Sequence, residues 1–196
     1  MLLNRRAYFV RERVAMLKLT DTYDILDPDT SAVIGVARDQ PPSWAKYARL
    51  LVKKSFLPTV INIFENESSP PVLTLHKRPG FLRVKVDVSD SQDRQIGRFE
   101  SKLFSLGGGF LVYDTSGQLI ADVKGDWKGW SFRFLDSAGR ELGFVTKKWA
   151  GMGKELFTTA DNYMISLAGD ASGSPETTSL LLAAGLAIDI VFKEKS

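Results

Sequence analysis

The segment Leu180 to Ile188 (LLLAAGLAI) constrains this chain more than any other part of it. Ser174 is a good N-cap, Pro175 suits the first helical position, and Glu176 favours the positive end of the dipole, so a helix is expected to start there. From Leu180 to Phe192 that helix is apolar nearly all round, and such a helix must be enclosed by protein or by lipid. The uninterrupted run stops at Asp189, and its nine residues make about 13 Å of helix at ~1.5 Å per residue. A bilayer core is ~30 Å thick. The reading is therefore a helix enclosed by the rest of its own chain.

The rest of the chain is rich in β signals. Twelve segments read as strands: 7–13, 23–26, 33–38, 59–64, 72–77, 81–87, 95–101, 110–113, 119–124, 130–135, 141–146 and 163–167. They recur at roughly ten-residue intervals, the spacing of a sandwich or barrel. An apolar strand, an Asp-containing turn and a second strand return four times, at Asp27 to Gly35, Asp90 to Gly97, Asp114 to Gly117 and Asp136 to Gly139. Asp closes such a turn through its side chain and Gly supplies the positive φ, which gives a meander of hairpins. A closed sheet of about twelve strands is wider than the ~8-stranded barrel that side chains alone fill. The apolar helix is the natural occupant of its lumen, kept slim by Gly185 among alanines. The expected fold is mainly β: one domain over residues 1–196, a closed antiparallel barrel around a buried C-terminal helix. Leu180, Leu181, Leu182, Leu186 and Ile188 form the plug, and Asp189 is a buried carboxyl near the helix end.

One further stretch breaks the rhythm. Ser43 to Phe56 (SWAKYARLLVKKSF) follows Pro41-Pro42 and reads as a short amphipathic helix. Trp44, Tyr47, Ala48, Leu51 and Val52 fall on one side, which is expected to dock on the barrel. Lys46, Arg49 and Lys53 fall on the other, with Lys54 beside them. The 26 basic and 23 acidic side chains leave a net charge of +3, too small an excess to point to nucleic acid. Residues 1–78 carry 12 basic against 8 acidic groups, so an anion-facing surface is expected in the first part of the chain.

Gly139-Arg140-Glu141-Leu142-Gly143, Lys147-Lys148-Trp149-Ala150-Gly151 and 154–163 (KELFTTADNY) resemble the phospholipid scramblase and LURP-one-related families, which share the tubby-like C-terminal fold. The ending Ala187-Ile188-Asp189-Ile190-Val191-Phe192 is similar too, and Tyr23-Asp24-Ile25, 73–79 (LTLHKRP) and Gly125 fall in the family's order. The resemblance implies a twelve-stranded barrel around a central hydrophobic helix, the same architecture that the strand count gives. It also implies a calcium segment at Thr159 to Asp170, where only Asp161 and Asp170 remain of the carboxylates. At most millimolar calcium affinity is expected from them. The chain departs from metazoan scramblases in having no cysteine for lipidation.

Catalytic chemistry finds no convergent set. His76 is the single histidine, in an alternating strand beside Lys77 and Arg78. Gly107-Gly108-Gly109 precedes a strand rather than the helix of a phosphate loop. Asp27 to Ser31 lacks the Gly and Glu of a calcium loop, and Asp122, Asp126 and Trp127 to Trp130 read as a turn with one barrel-facing aromatic. A non-enzymatic module without cofactor is expected, cytoplasmic or peripheral at a membrane, since the N-terminus has no apolar signal core. The headgroup candidates are Lys46, Arg49, Lys53 and Lys54, joined by Lys77, Arg78, Lys147 and Lys148. Their expected partner is an anionic phospholipid or phosphoinositide, or a membrane-linked protein. Two alternatives stand beside this reading: a scramblase-type membrane protein with an inserted C-terminal helix, and a ligand-free regulatory scaffold.

Overall fold

In a computed structural model that describes residues 1–13, 20–52, 56–79, 84–102, 109–126, 130–147, 162–168 and 174–189, the strand signals close into one sheet. The strands are β1 (Ala7–Glu12), β2 (Thr22–Leu26), β3 (Val33–Asp39), β4 (Thr59–Phe64), β5 (Leu73–Arg78), β6 (Lys85–Asp90), β7 (Gln95–Ser101), β8 (Gly109–Asp114), β9 (Leu119–Asp126), β10 (Ser131–Leu135), β11 (Glu141–Thr146) and β12 (Tyr163–Leu167). Each pairs antiparallel with its neighbours in sequence, and β1 pairs with β12 to close the barrel. All twelve strand segments read from the sequence are present, most with one or two residues' difference at the ends. The sixth differs most, since part of the expected range lies outside the described residues.

The helix α2 (Pro175–Ala187) runs inside the barrel. Ser174 caps it by accepting the amide N–H of Thr177 at 3.2 Å, and Pro175 sits in the first turn. Every residue from Thr178 to Asp189 is buried. The helix packs against β5, β7, β11, β12 and the short N-terminal 3₁₀ turn Leu2–Asn4. At Gly185 a Cβ would lie 2.6 Å from the Ile165 side chain, so the helix reaches β12 only because that position has none. Leu2 closes the barrel near the start of α2: its amide N–H donates to Glu65 at 2.6 Å, and the Tyr8 hydroxyl donates to its carbonyl at 3.0 Å.

The four Asp turns share one construction. In each, the Asp carboxylate accepts backbone N–H groups two to four residues on, as Asp136 does from Ala138 and Arg140 at 2.8 Å each. Each hairpin also carries a register shift in the ladder beside the turn. In each turn the last residue has positive φ, and the register shift falls three residues beyond it, at Ile34, Ile96, Ile120 and Leu142. Gly117 (φ 84°) and Gly139 (φ 81°) fill the positive-φ position as expected. In the other two turns the sequence reading needs correction. The left-handed residues are Ser31 and Asp93 (φ 58° and 59°), while Gly35 and Gly97 lie within strands. At Gly97 a Cβ would lie 2.4 Å from the Tyr113 carbonyl oxygen and 2.7 Å from Leu180, so its smallness serves the close approach of β8 and the plug rather than the turn.

Two outcomes test this construction. Leu182→Asp sets a charge against apolar walls, at a cost of several kcal/mol that a marginally stable domain cannot absorb. Loss of cooperative unfolding is the expected result, and a folded variant would oppose an enclosed plug. The second concerns acid. Hydrogen bonds from the turn backbone, from Arg94 and Arg140, and from the Ser116 hydroxyl hold Asp27, Asp90, Asp114 and Asp136 below the ordinary carboxylate range. Lowered carboxyls contribute stability that is complete above the unfolded value of about 4 and is lost as pH falls through the folded values. The melting temperature is therefore expected to fall progressively below pH ~4, and less steeply when Asp114 and Asp136 are both replaced by Asn.

Candidate functional site

Consecutive antiparallel strands in a closed barrel turn alternately at its two ends. The Asp turns, all between an even strand and the next odd one, share the end where α2 begins. The connections from odd strands to even ones share the other end, where α2 finishes. The segment between β3 and β4 lies at this second end, as do the C-terminal ends of β5 and β11, which carry Lys77-Arg78 and Lys147. Cations distant in sequence are thus gathered at one end of the molecule.

Their orientation differs from the sequence reading. The helix expected over 43–56 is α1 (Ser43–Ala48). After it the amide N–H groups of Leu50 and Leu51 bond three residues back, at 3.1 and 3.0 Å, and the chain continues as a turn. The faces are also exchanged. Ala45 is fully buried, whereas Trp44, Tyr47, Leu50 and Leu51 are 63, 65, 67 and 92% exposed. Arg49 turns inward and donates two hydrogen bonds to the Asp39 carboxylate, at 2.5 and 3.2 Å. The pair is nearly dry, with side chains 5% and 0% exposed. Asp39 is the physical reason for the exchange. It projects inward from the end of β3, and docking the Trp44–Tyr47 face instead would take the guanidinium away from a buried carboxylate.

The other candidates divide similarly. Lys46 is half-buried at the edge of the exposed apolar face. Lys77 follows Leu73 and Leu75 on the inner face of β5 and is buried, which corrects its reading as a headgroup ligand; Arg78 is exposed and pairs with Asp87 at 2.6 Å. Lys147 lies 4.1 Å from the Trp130 ring centroid, a cation–π contact over an aromatic that itself packs on Tyr163 and Phe132. Lys53, Lys54 and Lys148 lie outside the described residues, as do Asp161 and Asp170.

Beneath this end the barrel interior turns polar. Asp39 and Lys77 project inward from β3 and β5, and Asp189 ends the described part of the plug. Burial, then the charge of Asp189, pushes the Tyr23 phenol far above its ordinary value. On the outer wall Arg11 and Arg13 hold Asp24, and Arg13 and Arg38 hold Glu67. Burial raises Asp24, but its arginine partners outweigh it and keep the carboxyl below the usual range. His76 is exposed on the outer wall. Among the described residues no group of His, Cys, Asp and Glu could hold a metal ion, and no helix is long and apolar enough to cross a membrane.

A closed twelve-stranded barrel around a hydrophobic helix is the architecture of a tubby-like scramblase domain. The scramblase family model matches residues 82–195, more than half of the chain, and the chain belongs to the scramblase family. No curated protein and no solved structure matches it. The matched span runs from β6 through α2, so the α1 segment precedes it.

The Asp39–Arg49 pair separates a structural cation from a surface one. Arg49→Ala strips the guanidinium from a buried carboxylate and is expected to cost about 3–5 kcal/mol. Lys46→Glu, at the surface, is expected to stay within ~0.5 kcal/mol of the parent. Chemical denaturation measures both, and equal effects would show that Arg49 is not the anchor of α1.

Proposed function

We propose that this chain is a non-enzymatic binding module of the scramblase family that docks on anionic lipid headgroups through the α1 end of its barrel. The observation that carries the reading is that Lys46, Arg78 and Lys147 stand at the same end of the barrel as the exposed apolar face. Each cation near an anionic membrane contributes on the order of 1 kcal/mol, weakened by salt. With α2 enclosed, a scramblase-type inserted C-terminal helix is the less favoured reading. In a cell such a module would be cytoplasmic and peripheral at a membrane.

Replacing Lys46, Arg49 and Lys53 together by Glu is a poor test, because Arg49 is structural. The better variant combines Lys46→Glu, Lys53→Glu, Lys54→Glu and Arg78→Glu. The parent is expected to co-sediment with phosphatidylserine vesicles more than with phosphatidylcholine vesicles, and less at 0.5 M salt. The variant should lose that preference while keeping its far-ultraviolet circular dichroism. Equal sedimentation of the parent with both vesicle types would remove the electrostatic reading.

A further inference from the structure

We infer that the α1 turn is a wedge that inserts Trp44, Tyr47, Leu50 and Leu51 into the interfacial layer of a lipid bilayer. The inference rests on the membrane-docking reading and adds a contact of a different kind, apolar penetration rather than charge attraction. Among the described residues eight large hydrophobic side chains are exposed, and six of them fall within 44–56. The other two, Met1 and Val33, lie at the opposite end of the barrel. A contiguous apolar patch of this kind marks an interaction surface.

The segment is held in this pose. Ala45 is fully buried, and Arg49, four residues after it, is pinned to Asp39. Because Arg49 lies on the opposite side of the helix from Trp44 and Tyr47, anchoring it inward leaves those side chains facing outward.

The chemistry of the patch selects lipid over a second copy of the chain. Residues 40–64 contain no Asp or Glu and four cations: Lys46, Arg49, Lys53 and Lys54. A two-fold interface would bring two copies of this acid-free, lysine-bearing segment together with no counter-charge from the segment itself. An anionic leaflet supplies the counter-charge to every copy. Trp and Tyr carry an apolar ring and a polar edge, the combination that settles at headgroup level. Lys46, at the rim, can lay its alkyl stem along the acyl boundary with the ammonium in the headgroups. Six helical residues span about 9 Å, far short of the ~30 Å hydrocarbon core of a bilayer. The element is built to enter one leaflet and not to cross it.

The chain has no cysteine, so one introduced thiol reports one site. In Leu51→Cys labelled with the fluorophore NBD, phosphatidylserine-containing vesicles should produce a blue shift, and lipids brominated on the acyl chain should quench it. In Val33→Cys, labelled likewise, neither should occur. The unlabelled variant Trp44→Ser with Leu51→Ser should partition into vesicles roughly tenfold or more weakly than the parent, with unchanged circular dichroism. Co-sedimentation without a shift at position 51 would overturn insertion and leave headgroup docking standing. A shift of equal size on neutral and acidic vesicles would support insertion and sink the electrostatic reading. A shift that appears without lipid and grows with protein concentration would assign the face to a second copy and overturn the wedge.

Discussion

Enclosure of α2 sets the size of everything around it. With strands ~4.8 Å apart and tilted about 40°, twelve of them enclose a backbone diameter of about 24 Å. Inward side chains take ~5 Å from each wall, half the usual ~10 Å between packed sheets. About 14 Å remains, close to the 10–12 Å diameter of an α-helix with its side chains. An eight-stranded barrel built the same way leaves roughly 6 Å, which side chains fill by themselves. Strand number and helix are therefore coupled: twelve strands without α2 would surround a void, and α2 without the strands would have no place in water. Gly185 against Ile165 and Gly97 against Leu180 are where the fit is tightest.

That coupling divides labour between the two ends. The end at which α2 enters is closed by Leu2 and by hairpins whose Asp side chains satisfy the turn backbone. Tight, self-satisfied turns with a bulge fix the register of the strands they join. The other end carries the α1 segment and a polar interior, including the Asp39–Arg49 pair and the inward Lys77. A buried ion pair is a weak source of net stability, because desolvation offsets most of the attraction. Its effect here is orientational. Arg49 selects which face of α1 meets the barrel, and that selection leaves the aromatic face outward.

The strands, the four hairpins and the plug were legible because each is governed by local rules. Ser174-Pro175-Glu176 starts a helix in any context, and Asp136-Ser137-Ala138-Gly139 closes a turn from its own atoms. Where two residues compete for one role, local rules fall short. Ser31 and Asp93 took the left-handed position because they stand at the end of the turn. Gly35 and Gly97 come several residues later and had been released for packing.

The α1 segment failed for a different reason. Periodicity fixes the angle between the faces of a helix and is silent on which face docks. The usual assumption, apolar inward and charged outward, is a statement about averages. It breaks when a buried carboxylate waits at the docking point, and Asp39 belongs to another element ten residues upstream. Two signs were present in the sequence. Leu50 fits neither side of the expected stripe, so apolar residues exceed what one docked face needs. The absence of Asp and Glu from residues 40–64 leaves Arg49 no local partner, although an arginine that buries its guanidinium needs one. An apolar excess combined with an arginine that has no acid within its own segment is what a helix presenting its apolar face outward looks like before the fold is known. The same pattern on other short connections deserves the reversed reading whenever the preceding strand ends on an inward-facing acid.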